Sequence, residues 1–211
     1  MTLLDHIALL DDHTVLHGVS WDDYERVLEE IGDGSTRVTY CDGSMEIMSP
    51  LPEHDRAALA IGRLICELTF ETGLPIASFG STTYRRKDLL RGLEPDQCFY
   101  IDNEVKVRGM KRFNPKMHPA PDLAIEVDIT SRSIPREPIY AKLGVPEIWR
   151  YKNPRIAIRR LSNGKYADAA TSLYFPSLPM PKFEKFVQRM LVEEQNSVVR
   201  DFRAWVKTLP R

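Results

Sequence analysis

The chain has 211 residues, a length that suits one α/β domain with additions, or at most a domain plus an appendage. Hydrophobic residues make up 43% of the chain and charged residues 28%, so both a sizeable core and an ordinary polar surface are available. Because the formal net charge is −1, there is no global basic field, and any binding of nucleic acid must depend on a local patch.

The three cysteines, Cys41, Cys66 and Cys98, are odd in number and show no paired metal-ligand spacing. This usage predicts reduced core thiols in a cytoplasmic protein. No apolar run reaches the length of a transmembrane helix, and the acidic N-terminus does not resemble a signal peptide. We therefore expect no association with a membrane.

The chain is predicted to begin with an arm, a helix and a hairpin. Residues 1–19 contain histidines whose spacing fits no ligand set, and we expect a loosely ordered arm there. Ser20 and Asp23 form a capping pair that begins an ordinary packing helix. Asp42-Gly43 lies between two short apolar runs and predicts a β-hairpin.

A long helix is predicted over about residues 53–72, and short strands follow within residues 75–79 and 82–86. His54 lies in the first turn of the helix and is expected to be a surface or capping residue. Glu94-Pro95-Asp96 then introduces a strand over residues 98–101, so that a carboxylate marks the beginning of an apolar strand.

Two basic stretches are candidates for contacts with phosphate. The first consists of Arg85, Arg86 and Lys87, and it is either a solvated turn or a site that binds the backbone of DNA. The second lies in the linker of residues 103–119, which is long for a structureless loop, and that length favours function or mobility.

The segment from Pro121 to Thr130 is predicted to be the central strand. Its aliphatic residues alternate with Asp122, Glu126 and Asp128, so one face suits a core and the other carries three carboxylates. Like charges on one face repel, and a buried carboxylate is costly unless it is paired or bound to metal. The alternative is an edge strand with a solvated acidic face.

The rise of a strand decides which of these carboxylates can cooperate. Glu126 and Asp128 stand roughly 6.6 Å apart along a strand, which allows their side chains to share an ion. Asp122 is roughly 13 Å from Glu126 and cannot join them on a straight strand. Asp122 is a candidate catalytic residue only if a bend brings it to the site; otherwise it needs another role, such as orienting a turn.

The remaining chain predicts a short helix over about residues 135–143 and strands near 147–151, 155–161 and 165–169. A single amphipathic helix is predicted over about residues 182–209, and its length and apolar face suggest packing on a second copy. The predicted organisation is an arm (1–19), a domain (20–180) and a C-terminal helical appendage (181–211).

Asp96, Glu126 and Asp128 are the candidate metal ligands, because two neighbouring strands would bring their carboxylates together. Hard oxygen ligands without His or Cys suit Mg²⁺ or Mn²⁺ rather than Zn²⁺. Such an ion can activate water for phosphodiester cleavage, and basic residues nearby would hold the phosphate backbone.

Four segments carry a family resemblance: 42–50 with His54, 92–101, 121–131 and 144–151. Over roughly residues 20–180 the chain resembles a restriction-endonuclease family, expanded in cyanobacteria, of the PD-(D/E)XK restriction-endonuclease-like superfamily. The resemblance implies an α/β core whose mixed sheet is flanked by helices. It also implies a Mg²⁺-dependent DNA endonuclease, with Asp96 as the proline–aspartate acid and Glu126 as the acid of the D/E-x-K element.

Asp128 stands where the superfamily has a lysine that assists the attacking water. Arg136, at the start of the following helix, is the first candidate for the replacing cation. Arg132 is the second, and it is also a candidate for binding DNA. Arginine holds phosphate well but is a poor base. Three hypotheses follow: a Mg²⁺-dependent DNA endonuclease, a nucleic-acid-binding or assembly protein with a decayed site, and a metal hydrolase of another phosphate ester.

Overall fold

The structure is a computed structural model that describes residues 13–32, 36–80, 82–128 and 133–210. The described strands are β1 (His13–His17), β2 (Arg37–Cys41), β3 (Ser44–Met48), β4 (Ala77–Ser78), β5 (Tyr84–Arg86), β6 (Arg91–Leu93), β7 (Gln97–Tyr100), β8 (Leu123–Val127), β9 (Glu147–Lys152), β10 (Arg155–Ser162) and β11 (Lys165–Ala169). The described α-helices are α1 (Trp21–Ile31), α2 (Pro52–Thr72), α3 (Glu104–Val107), α4 (Glu137–Leu143), α5 (Met180–Val192) and α6 (Gln195–Val206).

The first sheet is antiparallel, with the strand order β1-β3-β2-β6-β5, and α1 packs on it. The predicted hairpin is confirmed, because β2 and β3 pair across Asp42-Gly43. The predicted capping of α1 is confirmed too: the Ser20 hydroxyl accepts a hydrogen bond from the Asp23 amide, and the Asp23 carboxylate accepts one from the Ser20 amide. Two local sequence patterns, a turn and a capping pair, therefore predict the hairpin of this sheet and the start of its helix.

The second sheet has the order β11-β10-β9-β8-β7-β4 and is mixed, since β8 and β9 run parallel while the other neighbours are antiparallel. One face of this sheet is covered by α2, α5 and α6. The aliphatic residues predicted for the central strand, Leu123, Ile125 and Val127, join this main core. The predicted α/β class, with a mixed sheet flanked by helices, is confirmed.

The other face of the second sheet is covered by α4 and by the first sheet. Ile139 and Tyr140 of α4 pack there against Ala124 of β8, and Leu93 of β6 joins the same cluster. The carboxylate-bearing face of β8 is therefore enclosed between the two sheets. This enclosure excludes the alternative of a solvated edge strand.

The predicted arm and the predicted C-terminal helix differ from the structure. Residues 13–17 form β1, which pairs with β3 along its whole length, so this part of the arm belongs to a sheet; residues 1–12 lie outside the described residues. The C-terminal segment consists of two helices, α5 and α6. Glu194 begins the second helix, because its carboxylate accepts hydrogen bonds from the amides of Asn196 and Ser197.

The apolar faces of α5 and α6 are used within this chain. Phe183, Phe186 and Phe202 are buried in the main core together with residues of α2. The apolar face that suggested packing on a second copy is thus covered, and the division predicted at residue 181 does not appear in the packing. None of the helices in the described residues is both long and apolar enough to span a membrane.

All three cysteines are free, as predicted, but only one lies in the core. Cys98 is buried, and burial raises the pKa of its thiol to about 12. Cys66 is exposed on α2 and Cys41 is half-buried. The prediction of core thiols is therefore correct for Cys98 and wrong for Cys66, which lies on the outer face of its helix.

Candidate active site

Asp96 and Glu126 lie on neighbouring strands, as the sequence predicted. The antiparallel register pairs Gln97 of β7 with Ile125 of β8, and one residue further along it brings Asp96 opposite Glu126. Both carboxylates are 3% exposed. Asp96 is also fixed by the backbone, because its Oδ2 accepts a hydrogen bond of 2.7 Å from the Val127 amide.

Glu126 is held by two residues of the segment that covers it. Arg136 Nη1 donates to both carboxylate oxygens, at 2.8 and 2.9 Å. The Tyr140 hydroxyl donates to Glu126 Oε1. Arg136 is the residue before α4 and Tyr140 lies four residues later, so both side chains project from the same face of the helix onto the strand.

Arg136 also joins the two sheets. Its Nη1 donates to the backbone carbonyl of Glu94 at 2.9 Å, and its Nη2 donates to Thr39 Oγ1 of β2 at 3.2 Å. Burial is the largest single influence and lowers the pKa of Arg136, but Glu126, Tyr140 and Asp96 together outweigh it and hold that pKa above its ordinary value. Arg136 is therefore a permanent cation inside the protein.

Tyr140 is a proton donor rather than a base. Burial raises the pKa of its hydroxyl, and the adjacent charge of Glu126 raises it further. The phenol therefore stays protonated near neutral pH and serves to orient the carboxylate. Tyr140 was not predicted to belong to the site, although its place four residues after Arg136 on one helix was the available signal.

His54 faces this site, so its expected surface or capping role is wrong. Its side chain lies in the first turn of α2, is buried, and places Nε2 at 3.2 Å from Asp96 Oδ2. The first turn of the helix lies over the beginning of β7, which the amphipathic pattern of α2 alone did not reveal. Asp96 therefore lies between α2 and β8.

Glu46 is a third buried carboxylate near the site that the sequence analysis missed. It is 2% exposed, and its Oε1 lies 2.8 Å from His13 Nε2 and accepts a 2.7 Å hydrogen bond from the Ser133 amide. Its cross-strand neighbour is Thr39, the residue that binds Arg136. Period-two alternation in β3 was the available signal, since Met45 and Ile47 pack in the α1 cluster.

Glu94 is the fourth buried acid here. Its Oε1 accepts a 2.8 Å hydrogen bond from the Thr83 hydroxyl, and Arg37 Nη1 lies 4.0 Å from its other oxygen. Burial raises the pKa of Glu94, and the bond from Thr83 and the charge of Arg37 only partly oppose this. The site is thus a concentration of buried acids with Arg136 at its centre.

Asp128 and Asp122 lie apart from this arrangement. The carboxylate of Asp128 binds Arg150 of β9, with contacts of 2.9 and 2.6 Å. Among the described residues, no three His, Cys, Asp or Glu side chains are close enough to share a metal ion. The structure therefore does not assemble the three-acid set of Asp96, Glu126 and Asp128.

Asp122 holds a turn. Its Oδ2 accepts hydrogen bonds from the amides of Ile101 and Asn103, at 2.6 and 2.9 Å, and its Oδ1 accepts one of 2.6 Å from Asn103 Nδ2. These contacts match the turn-orienting role and not the catalytic role expected for it. The straight strand keeps it away from Glu126, as the rise per residue indicated.

The first basic stretch is balanced by acids. Arg85 lies 3.7 Å from Glu25, Arg86 lies 2.6 Å from Asp88, and Lys87 lies 3.0 Å from Asp22. Three paired cations give a weaker field for phosphate than the sequence suggested. Arg132, the other candidate for DNA binding, lies outside the described residues.

These features define a class of protein: an α/β domain with buried acids enclosed between two sheets. The chain belongs to the Uma2 family, described as "Putative restriction endonuclease", whose family model matches residues 21–188. The resemblance of the sequence to a restriction-endonuclease family is therefore confirmed.

A solved structure is also similar to this chain. It is described as a "putative nuclease belonging to DUF820" from Anabaena variabilis, and it shares 14% sequence identity and a TM-score of 0.46. The match covers 89% of this chain and 99% of that chain. A comparison with curated proteins finds no match.

Proposed function

We propose that the protein is a divalent-metal-dependent DNA endonuclease that hydrolyses phosphodiester bonds, with Asp96 and Glu126 as the metal-binding carboxylates. Membership of the restriction-endonuclease family supports the reaction class. The observation that carries the proposal is the pairing of two buried carboxylates on adjacent strands beside the buried cation Arg136. Such a concentration of charge in a core is costly and is typical of functional sites.

The residues fit Mg²⁺ or Mn²⁺. Carboxylate oxygens are the donors that these hard ions prefer, and Mg²⁺ usually takes only one or two protein carboxylates, with water and substrate phosphate as its other ligands. Glu126 already forms an ion pair with the guanidinium of Arg136, so a bound ion would share this carboxylate with a second positive charge. When bound, the ion would activate the attacking water and stabilise the charge that develops on the phosphate.

Each side chain then has a role that follows from its contacts. Asp96 is positioned by the Val127 amide and by His54, and Glu126 is positioned by Tyr140. Arg136 supplies a permanent positive charge where Asp128 replaces the superfamily's lysine. It stabilises negative charge and does not abstract a proton, because its pKa is held above its ordinary value.

The second candidate function is that of a nucleic-acid-binding or assembly protein with a decayed site. One observation favours it: both oxygens of Glu126 accept hydrogen bonds from Arg136, and one also accepts from Tyr140. A metal ion must then compete with a buried ion pair. Hydrolysis of another phosphate ester, the third hypothesis, would use the same carboxylates.

Metal binding separates the first two candidates. Isothermal titration with Mg²⁺ and with Mn²⁺ should show binding to the parent and its loss in Glu126→Gln. Glu184→Gln is the matched control, because Glu184 is also buried but binds Arg155 and the Ile156 amide on the other side of the sheet. Equal binding by the Glu126 variant and the parent would refute the assignment.

A homodimer and a cytoplasmic location stay predictions of the proposal. The apolar face that suggested a dimer is buried within this chain, so that argument no longer supports it. Three free cysteines are consistent with a reducing compartment. Sedimentation of the purified protein would test the dimer.

A further inference from the structure

A concave pocket lies apart from the carboxylate site, between α1, β5 and the loop of residues 109–118. Its volume is about 610 Å³, within the range of small-ligand sites. Asp96, Glu126 and Arg136 do not line it. Its walls include Trp21, Arg85, Lys87, Lys111, Arg112 and Phe113.

The cations of this pocket differ in their partners. Arg85 and Lys87 come from the first basic stretch and lie beside acids of α1. Lys111 and Arg112 come from the second stretch, are exposed, and form no ion pair with any described residue. The loop side of the pocket therefore carries positive charge that no described acidic residue balances.

The pocket also has an aromatic wall. Phe113 is half-buried and packs edge-to-face on Tyr84, with ring centroids 4.7 Å apart, which fixes its position. His118 lies near it, with a centroid distance of 6.4 Å, and its Nδ1 accepts a 3.0 Å hydrogen bond from the Asn114 amide. Aromatic rings of fixed orientation beside exposed cations are the two elements of a site that stacks a base and binds its phosphate.

We propose that this pocket binds an unpaired nucleotide of a single nucleic-acid strand, with the phosphate at Lys111 and Arg112 and the base against Phe113. The inference deepens the proposed function, on which it rests, by naming the form of the substrate. A concave site of this volume admits one nucleotide, whereas a duplex presents its bases stacked inside and requires a broader surface. Paired cations at Arg85 and Lys87 would contribute less than the two on the loop.

Binding measured without metal tests this inference independently of cleavage. Fluorescence anisotropy in EDTA, at low salt, would compare a labelled single-stranded oligonucleotide with a hairpin duplex of equal length. The parent should bind the single strand more tightly. Lys111→Ala/Arg112→Ala should weaken that binding at least tenfold, and the dependence of log K on log[salt] should become shallower by roughly 1.4, about 0.7 for each phosphate contact.

Two further variants isolate charge and stacking. Lys165→Ala/Lys185→Ala removes the same charge from exposed positions elsewhere and should bind like the parent. Phe113→Leu keeps an apolar contact with Tyr84 but removes the aromatic face, and it should weaken single-strand binding roughly tenfold with an unchanged salt slope. Melting temperatures would show that each variant is folded.

Three results would overturn the inference: a parent that prefers the duplex, loop variants that bind like the parent, or equal losses in the Lys165/Lys185 control. Each of them leaves the metal titration of Glu126→Gln untouched. Conversely, loss of the proposed metal site would appear in that titration while single-strand binding in EDTA persisted.

Discussion

At the scale of single residues, Arg136 balances a charge that the fold has buried. Glu126 is 3% exposed and Arg136 is 8% exposed, so burying either charge without the other would be costly. The guanidinium also binds the Glu94 carbonyl and the Thr39 hydroxyl, which an ammonium group could not reach in the same geometry. Arg136 therefore combines a structural and a proposed electrostatic role.

We predict that Arg136→Ala lowers the free energy of unfolding by about 3–5 kcal/mol, because it leaves the charge of Glu126 uncompensated. Arg136→Ala/Glu126→Gln should recover part of that loss, since the buried charge has then been removed as well. Urea unfolding of the parent, both single variants and the double variant would measure the coupling. If the double variant lost more free energy of unfolding than the two single variants lost together, the result would contradict the ion pair.

Glu94 makes the free energy of unfolding of the protein depend on pH. Burial raises the pKa of Glu94 above its ordinary value of 4.5, so the carboxyl group is easier to protonate in the folded than in the unfolded state. The protonated carboxyl of Glu94 contributes its full stabilisation at pH values below its pKa in the unfolded chain. This contribution is lost as the pH rises through its pKa in the folded protein.

Glu94→Gln removes this dependence. We predict that the free energy of unfolding of the variant, relative to the parent, increases as the pH rises from about 4 towards neutrality. Urea unfolding of both proteins at several pH values would measure the difference. A relative stability that falls over that interval would show that Arg37 and Thr83 stabilise the ionised form more than burial opposes it.

At the scale of elements, the C-terminal helices show where a sequence pattern is insufficient. The apolar periodicity continues from residue 182 to residue 209, and it predicts one helix. The structure divides the segment because Glu193 and Glu194 adopt extended backbone conformations and Glu194 caps α6. The turn allows Phe186 and Phe202 to pack together, a contact between residues distant in a single straight helix.

Glu194→Ala distinguishes one helix from two. If Glu194 caps α6, its replacement should lower the free energy of unfolding by about 1 kcal/mol. In an uninterrupted helix the same change would be neutral or stabilising, because alanine has the highest helix propensity. Glu29→Ala, on the exposed face of α1, is the control for propensity, and urea unfolding is the measurement.

The elements that the sequence predicted well are those specified by neighbouring residues. Asp42-Gly43 fixes the hairpin, Ser20 with Asp23 fixes the start of α1, and alternation assigns the two faces of β8. Short β6 was missed, because its three residues follow a basic run and gain their strand pairing from β2 and β5. Local patterns do not contain that information.

At the scale of the whole molecule, the candidate site is formed by contacts that are remote in sequence. Asp96, Glu126 and Arg136 could be predicted from their strand and helix positions and from the resemblance to a family. His54 and Glu46 could not be placed in this way, because their burial depends on how α2 and the first sheet pack over β7 and β8. Long-range packing decides which polar residues are enclosed.

The same packing explains which predicted residues stay outside the site. Asp128 is drawn to Arg150 on the neighbouring strand, and Asp122 is used to close a turn. A carboxylate on the correct face of the strand is thus not sufficient to predict a site residue, because each carboxylate can instead bind a nearby cation or backbone amide. The cations of residues 85–87 are satisfied in the same way by acids nearby.

Cleavage of supercoiled DNA by the parent and by Asp96→Asn tests the central claim most directly. We predict nicking by the parent in Mg²⁺ or Mn²⁺, none in EDTA, and none by Asp96→Asn, with Glu184→Gln cleaving like the parent. Asparagine can still accept the hydrogen bond from the Val127 amide, so the fold should persist and the loss should report on charge. Metal-independent nicking, or full activity in Asp96→Asn, would contradict the account.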